Sequence, residues 1–240
     1  MSQAIPNQAL LQDPQMVAGA PEEFPPLHPD LEACRVDNWL PFVCHRLIHQ
    51  PYHPFLTKHM NDSYEHKKLR YAEYLAAKKW ESLLFLVEKP YRLDEFRLQQ
   101  DQMTDEEYWE NLGWCYRGSE NLHQVPFLAD LLLSDRPCRE RLMDPESAAE
   151  FAAMPEVITV YKGFHRGYRY DDDYSFTLSP KTAEWFARRF DRPAPKVLTG
   201  LVQKGDVLAY MDQRGEKEIL IEPCLVDVQK VKNLRVRRHS

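Results

Sequence analysis

Glu216 and Glu218 stand one residue apart in the segment Arg214-Gly215-Glu216-Lys217-Glu218-Ile219-Leu220-Ile221-Glu222-Pro223, just ahead of an apolar run that ends at proline. Read as a strand over 216–221, the alternation of side chains places Glu216 and Glu218 on one face and Lys217, Ile219 and Ile221 on the other. Two acids projecting together are costly unless they face water or a ligand that needs them. Taken alone, the pair fits a solvated strand face. Facing a ligand that needs them, the two acids are a candidate for chemistry rather than packing.

Three further elements stand in fixed order upstream. Tyr161-Lys162-Gly163 ends the β-branched and aromatic run that starts at Val157, which predicts a strand followed by a tight turn. Ser175-Phe176-Thr177 falls in a short strand over 174–178. Ser179-Pro180 then opens a helix, with serine as cap, proline in the first turn, and Ala183, Phe186 and Ala187 inward. The sequence contains no GxGxxG, GxxxxGK[ST] or HExxH, which removes the usual support for dinucleotide-fold dehydrogenases, P-loop enzymes and zincins. Cys44, His45, His49 and His53 invite a metal reading, since His45 and His49 could share a helix face. No acidic third ligand is spaced to help them, so no metal is expected.

With these elements in order, the chain resembles the ADP-ribosyltransferase superfamily, in the branch that carries an arginine, a serine-rich strand and a Glu-x-Glu strand. It is also similar to phage and prophage proteins with a Tyr-Arg-Gly, a Ser-Trp-Thr ahead of an Ala-x-x-Phe-Ala helix, and a terminal Arg-x-Glu-x-Glu-Ile. The resemblance covers about residues 155–223. It implies a mono-ADP-ribosyltransferase that uses NAD as substrate, with a macromolecular acceptor and release of nicotinamide. Glu218 matches the family's catalytic glutamate, and Glu216 the glutamate that prepares an arginine acceptor. Ser175 would bond the nicotinamide ribose or brace Glu218, and Thr177 would support the same strand. Tyr161, Lys162 and Gly163 match the first motif, which needs a cation and a close backbone approach for the pyrophosphate and the nicotinamide amide. Tyr168, Tyr170, Tyr174 and Phe176 are candidates to stack on nicotinamide, and an aromatic loop can equally be packed.

The family's first-motif arginine is Lys162 here, which keeps the charge but loses the planar fork. Arg166 or Arg169 could supply a second cation, and Arg214 could pair with either glutamate. A second Tyr-Arg-Gly, Tyr116-Arg117-Gly118, sits after an apparent helix and lacks a following strand signature, so it reads as a decoy. Two other functions stay open: an NAD glycohydrolase with water as acceptor, and a non-catalytic interaction protein on a transferase-like scaffold.

The elements that must position these residues point to an α+β fold, an ADP-ribosyltransferase-like split β-sheet domain beside helices. Residues 1–32, rich in proline, read as a flexible arm or a strap. Residues 33–107 read as a helical region, with Asp37 capping a helix through Leu47 and Asp62 capping a long one that runs until Pro90. Residues 108–240 form the transferase-like domain. Thr104 and Glu107 have capping-box spacing for a helix carrying Tyr108, Trp109 and Leu112. Short helices are expected near 125–134, 137–143 and 146–153, and strands over 197–202, 206–210 and 216–221.

The 240-residue chain is long enough for a substantial core, and no run approaches the ~18 apolar residues of a membrane span. The N-terminus lacks a secretory pattern, and five scattered cysteines read as reduced thiols, so a cytoplasmic location is expected, in the host if the origin is phage. A net charge of −6 exerts no global pull on membranes or nucleic acid. The basic end (Lys230, Lys232, Arg235, Arg237, Arg238) reads as a solvated tail, and the expected partner is a protein.

Overall fold

The computed structural model describes residues 24–120, 122–167, 173–189, 193–212 and 215–235. The chain divides into two compact units, residues 1–65 and 66–240. It is α+β, with two antiparallel sheets.

The first unit holds a short helix α1 (Pro29–Glu32) and a sheet of three strands, β1 (Arg35–Val36), β2 (Phe42–His45) and β3 (Ile48–Pro51). The helix expected from Asp37 to Leu47 does not form. Phe42, Val43 and Ile48 suit a pleated strand better than a helix, and β2 and β3 pair Cys44 with His49 and His45 with Ile48. Asp37 takes a bidentate bond from the Arg35 guanidinium, at 3.0 Å on each oxygen, in place of a cap. The register sets His45 and His49 on opposite faces of the hairpin, so the expected one-face histidine pair is lost. Of the proline-rich arm, residues 1–23 lie outside the described residues, and the rest is tied down. Leu27 and Leu31 are buried, and the Asn61 side chain accepts from the His28 N–H and donates to the Pro26 carbonyl.

Helix α2 (Thr57–Ala76) crosses the division, and α3 (Trp80–Leu86), α4 (Arg92–Gln99), α5 (Asp105–Gly118), α6 (Leu128–Leu132) and α7 (Pro145–Ala152) follow. The single helix expected from Asp62 to Pro90 is therefore two, and Asp62 lies inside α2, bonded to Lys58. Lys78 takes φ of +51°, and the N–H groups of Lys78 and Lys79 donate back to the carbonyls of Leu75 and Tyr74. This is the hydrogen-bond pattern that usually ends a helix at glycine; a lysine fills that position here, so composition carried no signal of the break. Among the described residues no helix is long and apolar enough to cross a membrane. Thr104 and Glu107 form the capping box of α5 as expected, and Asp144 caps α7 by accepting from the Ser147 N–H at 2.9 Å.

The larger sheet contains β4 (Val157–Phe164), β5 (Ser175–Thr177), β6 (Lys196–Gln203), β7 (Ala209–Met211), β8 (Glu218–Leu220) and β9 (Asp227–Asn233), in the order β7-β8-β5-β4-β6-β9. It has two unequal halves. β4, β6 and β9 form a long ladder, and β5, β8 and β7 a short one. A single pair, Tyr161 with Thr177, joins β4 to β5. β4 continues through Lys162 and Gly163 to Phe164, past the turn expected there. The strand expected over 206–210 is displaced by a 3-10 turn at Lys204–Asp206.

Both faces of the short half are covered. Leu220, Ala209 and Met211 join a helical core with Trp109, Leu112 and Tyr116. Phe176, Ile219 and Tyr210 face the other way, against Ile158, Val160 and Leu198. Helix α8 (Pro180–Arg188), capped by Ser179, packs on the outer face of the long half through Ala183 and Ala187, beside Val197.

Candidate functional site

One chain of polar contacts links the two halves of the sheet. The Lys162 ammonium donates to Asp173 Oδ2 at 2.6 Å and also to the Ser175 carbonyl. The other oxygen of Asp173, Oδ1, accepts from the Ser175 N–H at 3.0 Å. Ser175 Oγ then donates to Glu218 Oε1, and the Tyr116 hydroxyl donates to the same oxygen at 3.0 Å. Lys162, Ser175 and Glu218, named from sequence as parts of one site, thus lie within two hydrogen-bonded steps of one another.

Alternation explains how they meet. On β4, Ile158, Val160, Lys162 and Phe164 point to the same buried side, so the Lys162 ammonium must find partners where β4 meets β5. Thr177 opposes Glu218 across β5 and β8, which puts Ser175, Thr177 and Glu218 on the face that meets the helical core. Tyr116, on α5, reaches this face from the helical side and is 3% exposed.

Electrostatics at Glu218 are a contest. Burial raises its pKa above the ordinary value; the Ser175 and Tyr116 donors pull it down, Glu216 pushes it up and Lys162 lowers it, and the net shift is upward. Burial, followed by the Glu218 and Asp173 charges, drives the Tyr116 pKa well above that of a free phenol, so Tyr116 remains a donor. Glu218 Oε2 receives no hydrogen bond from the described residues, and Glu218 keeps partial exposure. The fixed oxygen and the unbonded one give this carboxylate an oriented, partly exposed edge.

Several expected roles change. Glu216 lies outside β8, because Lys217 adopts φ of +49° and breaks the alternation that would have aligned the two acids. Glu216 still acts on Glu218 as a nearby charge, and its carbonyl accepts from Thr177 Oγ1 at 2.5 Å. Thr177 also accepts from the Ser179 N–H, so it links the Glu216 turn to the cap of α8. Gly163 does allow a close approach, but to α8: a Cβ there would collide with the Ala183 carbonyl and lie 2.7 Å from the Ala187 nitrogen. Tyr161 packs with that same helix contact. Phe176 is 2% exposed in the core, so it offers no ring face to a ligand; Tyr174 is half-buried and packs on the helical core. Arg166 is exposed past the end of β4. Tyr168, Arg169, Tyr170 and Arg214 lie outside the described residues.

Tyr116 is the residue that sequence reasoning missed. The Tyr116-Arg117-Gly118 triplet is helical, as its context indicated, yet its tyrosine enters the site. The only sequence signal is the α5 periodicity, which puts Tyr116 with Tyr108, Trp109 and Leu112 on the buried face. Among the described residues no group of three or more histidine, cysteine or acidic side chains is placed to hold a metal, and all five cysteines are free thiols.

Comparison with known proteins finds no matching family model, no matching curated protein and no matching solved structure.

Proposed function

We propose that the second unit transfers a single ADP-ribose from NAD to a macromolecular acceptor, with Glu218 facing the reacting carbon. The observation that carries this reading is the Glu218 carboxylate, oriented through Oε1 by Ser175 and Tyr116 with Oε2 left for a ligand. When the bond from nicotinamide to ribose C1′ breaks, its electron pair leaves with nicotinamide and positive charge builds on the ribose, as in glycoside cleavage. An ionised carboxylate opposite that charge stabilises the transition state more than the ground state. The acceptor nucleophile then bonds to C1′ and its proton passes to Glu216. The resemblance of the Ser175 and Glu216-Glu218 elements to transferase motifs favours arginine as that acceptor, and water in its place gives NAD glycohydrolysis.

In this reading Lys162 acts first as a positioning residue. It holds Asp173 and the Ser175 backbone, which aim Ser175 Oγ at Glu218. A pyrophosphate would have to replace the Asp173 carboxylate on the same ammonium, one anion exchanged for another. That occupancy, together with the closure of Gly163 by α8, favours a second reading, a transferase-like scaffold without activity.

Incubation with NAD labelled in the adenylate part, together with a cell lysate, separates the readings. Label on a macromolecule supports transfer, and free nicotinamide without label supports hydrolysis. Neither signal, with no NAD binding by calorimetry, leaves the scaffold.

A further inference from the structure

Charge is unevenly distributed along this chain. Residues 179–240 carry thirteen lysines and arginines against eight acids, although the whole chain has a net charge of −6. Part of that basic excess converges on one surface. On α8 and the residue after it, Lys181, Trp185, Arg188 and Arg189 recur at i, i+4, i+7 and i+8, on the side opposite the packed Ala183 and Ala187. β9 forms the edge of the sheet and is exposed along its whole length. Its register pairs Lys230 with Thr199 and Lys232 with Val197. Val197 packs with Ala183 and Ala187, so both lysines project on the α8 side, about 6.7 Å apart along the strand. Two contacts tie helix and strand into one surface: Lys232 Nζ is 3.9 Å from Glu184 Oε1, and Arg188 donates to the Arg235 carbonyl at 2.7 Å. Trp185 is 57% exposed, and the Arg189 guanidinium lies 5.3 Å from its ring centroid.

We infer that the α8 and β9 surface binds single-stranded nucleic acid, with Lys181, Arg188, Arg189, Lys230 and Lys232 along the phosphates and Trp185 stacked on an unpaired base. Lysines on an edge strand also discourage sheet-to-sheet pairing, but that leaves the exposed indole amid cations unexplained. A membrane surface would call for aliphatic residues on the outer side of α8, and Lys181, Trp185, Arg188 and Arg189 include none. An acidic protein would use the cations and leave the ring idle. Phosphates alternating with stackable bases match both features. The local surface thus acts against the chain's overall negative charge, and the inference is independent of any reaction at Glu218.

The test is fluorescence anisotropy of the full chain with a labelled single-stranded oligonucleotide of about 15 nucleotides, across a salt series. Neutralising about five phosphates gives a slope of log K against log salt of about −3.5. Lys230→Glu with Lys232→Glu, both exposed, should weaken binding at least about tenfold and flatten that slope. Trp185→Leu should weaken single-strand binding about tenfold and remove the tryptophan quenching that accompanies it. No binding by the native chain at low salt would overturn the inference. So would an unchanged affinity and slope in the lysine variant, which would place the nucleic acid elsewhere. Duplex bound as tightly as single strand, with Trp185→Leu neutral, would reduce the surface to a general polyanion contact and overturn the assignment of Trp185.

Discussion

The two halves of the larger sheet are built on different principles. The half made of β4, β6 and β9 has long strands. Its β4–β6 ladder runs without a break from Val157 paired with Gln203 to Phe164 paired with Lys196, and its β6–β9 ladder shifts register once, between Thr199 and Gly200. Its charges are mostly outside, on β9 and beside α8. The half made of β5, β8 and β7 has strands of three residues, which supply few ladder bonds. It is held by packing on both faces and by polar side chains that bond across it: Thr177 to the Glu216 carbonyl, Ser175 and Tyr116 to Glu218. The long half can lose a surface charge without consequence for its fold. The short half keeps a partly buried carboxylate in place only while each donor remains. Polar side chains placed where backbone bonding is thin are therefore the ones whose loss should affect stability and activity together.

Glu218→Gln tests this contrast most severely. A glutamine oxygen still accepts from Ser175 and Tyr116, so the fold survives, but the charge is gone, and NAD-dependent labelling should fall by at least about a thousandfold. The stability effect has the opposite sign. The folded-state pKa of Glu218 is raised above the unfolded value, so the fold favours the protonated form. That contribution is full below the unfolded value and is lost as pH rises through the folded one. At neutral pH the glutamine variant should be more stable than the native chain, with the gap closing in acid. Chemical denaturation at several pH values reads this. Labelling that survives in a folded variant would remove Glu218 from the site.

Lys162→Met removes the side-chain polar contacts that β4 makes with Asp173 and Ser175. It takes one charged donor from Asp173 and from the Ser175 carbonyl, and unfolding free energy should fall by about 2–3 kcal/mol in urea titration. Gly163→Ala probes the long half at its tightest contact. The new methyl meets the α8 backbone, which cannot rotate away, so a loss of about 2–3 kcal/mol is expected. Gly205→Ala, with open space around it, serves as the neutral control. Equal effects from the two glycines would show that α8 does not sit against β4 as described.

Tyr116→Phe has a smaller effect that is more specific to the short half. Losing one donor to Glu218 should cost about 1.5 kcal/mol at neutral pH. It should also raise the Glu218 pKa further, because the tyrosine bond lowers it. The acid limb of any NAD-dependent activity should then move to higher pH, a shift that a purely structural role would not produce. Thr104→Ala, remote from both halves, removes a cap and should cost about 1 kcal/mol with the pH profile unchanged.

What could be read beforehand follows the range of the interactions. The capping box at Thr104 and Glu107, the Ser179 cap, and the strands around Val160 and Leu198 were legible because each depends on residues a few positions apart. Ser175 and Glu218 were legible as a resemblance in order and spacing. Two local features misled. The helix expected from Asp37 to Leu47 took Asp37 as a cap and overrode the strand preference of Phe42 and Val43, and the α2 end at Lys78 lacked the expected glycine. The alignment of Glu216 with Glu218 failed for a related reason, since a left-handed lysine at 217 breaks the strand before it reaches Glu216.

By itself, then, the sequence determined the mixture of helix and strand, the starts of α5, α7 and α8, and the residue types available for chemistry, all set by short-range backbone preference and side-chain period. Tertiary structure decided which of those residues meet. It took Tyr116 across 102 positions to Glu218, turned Lys162 from an open cation into the partner of Asp173, and used Gly163 for a helix and not for a ligand. These outcomes depend on which buried polar group lies nearest once two sheet halves and a helical core close on one another. No local pattern encodes that, because the requirement to satisfy a buried charge appears only after the chain has packed.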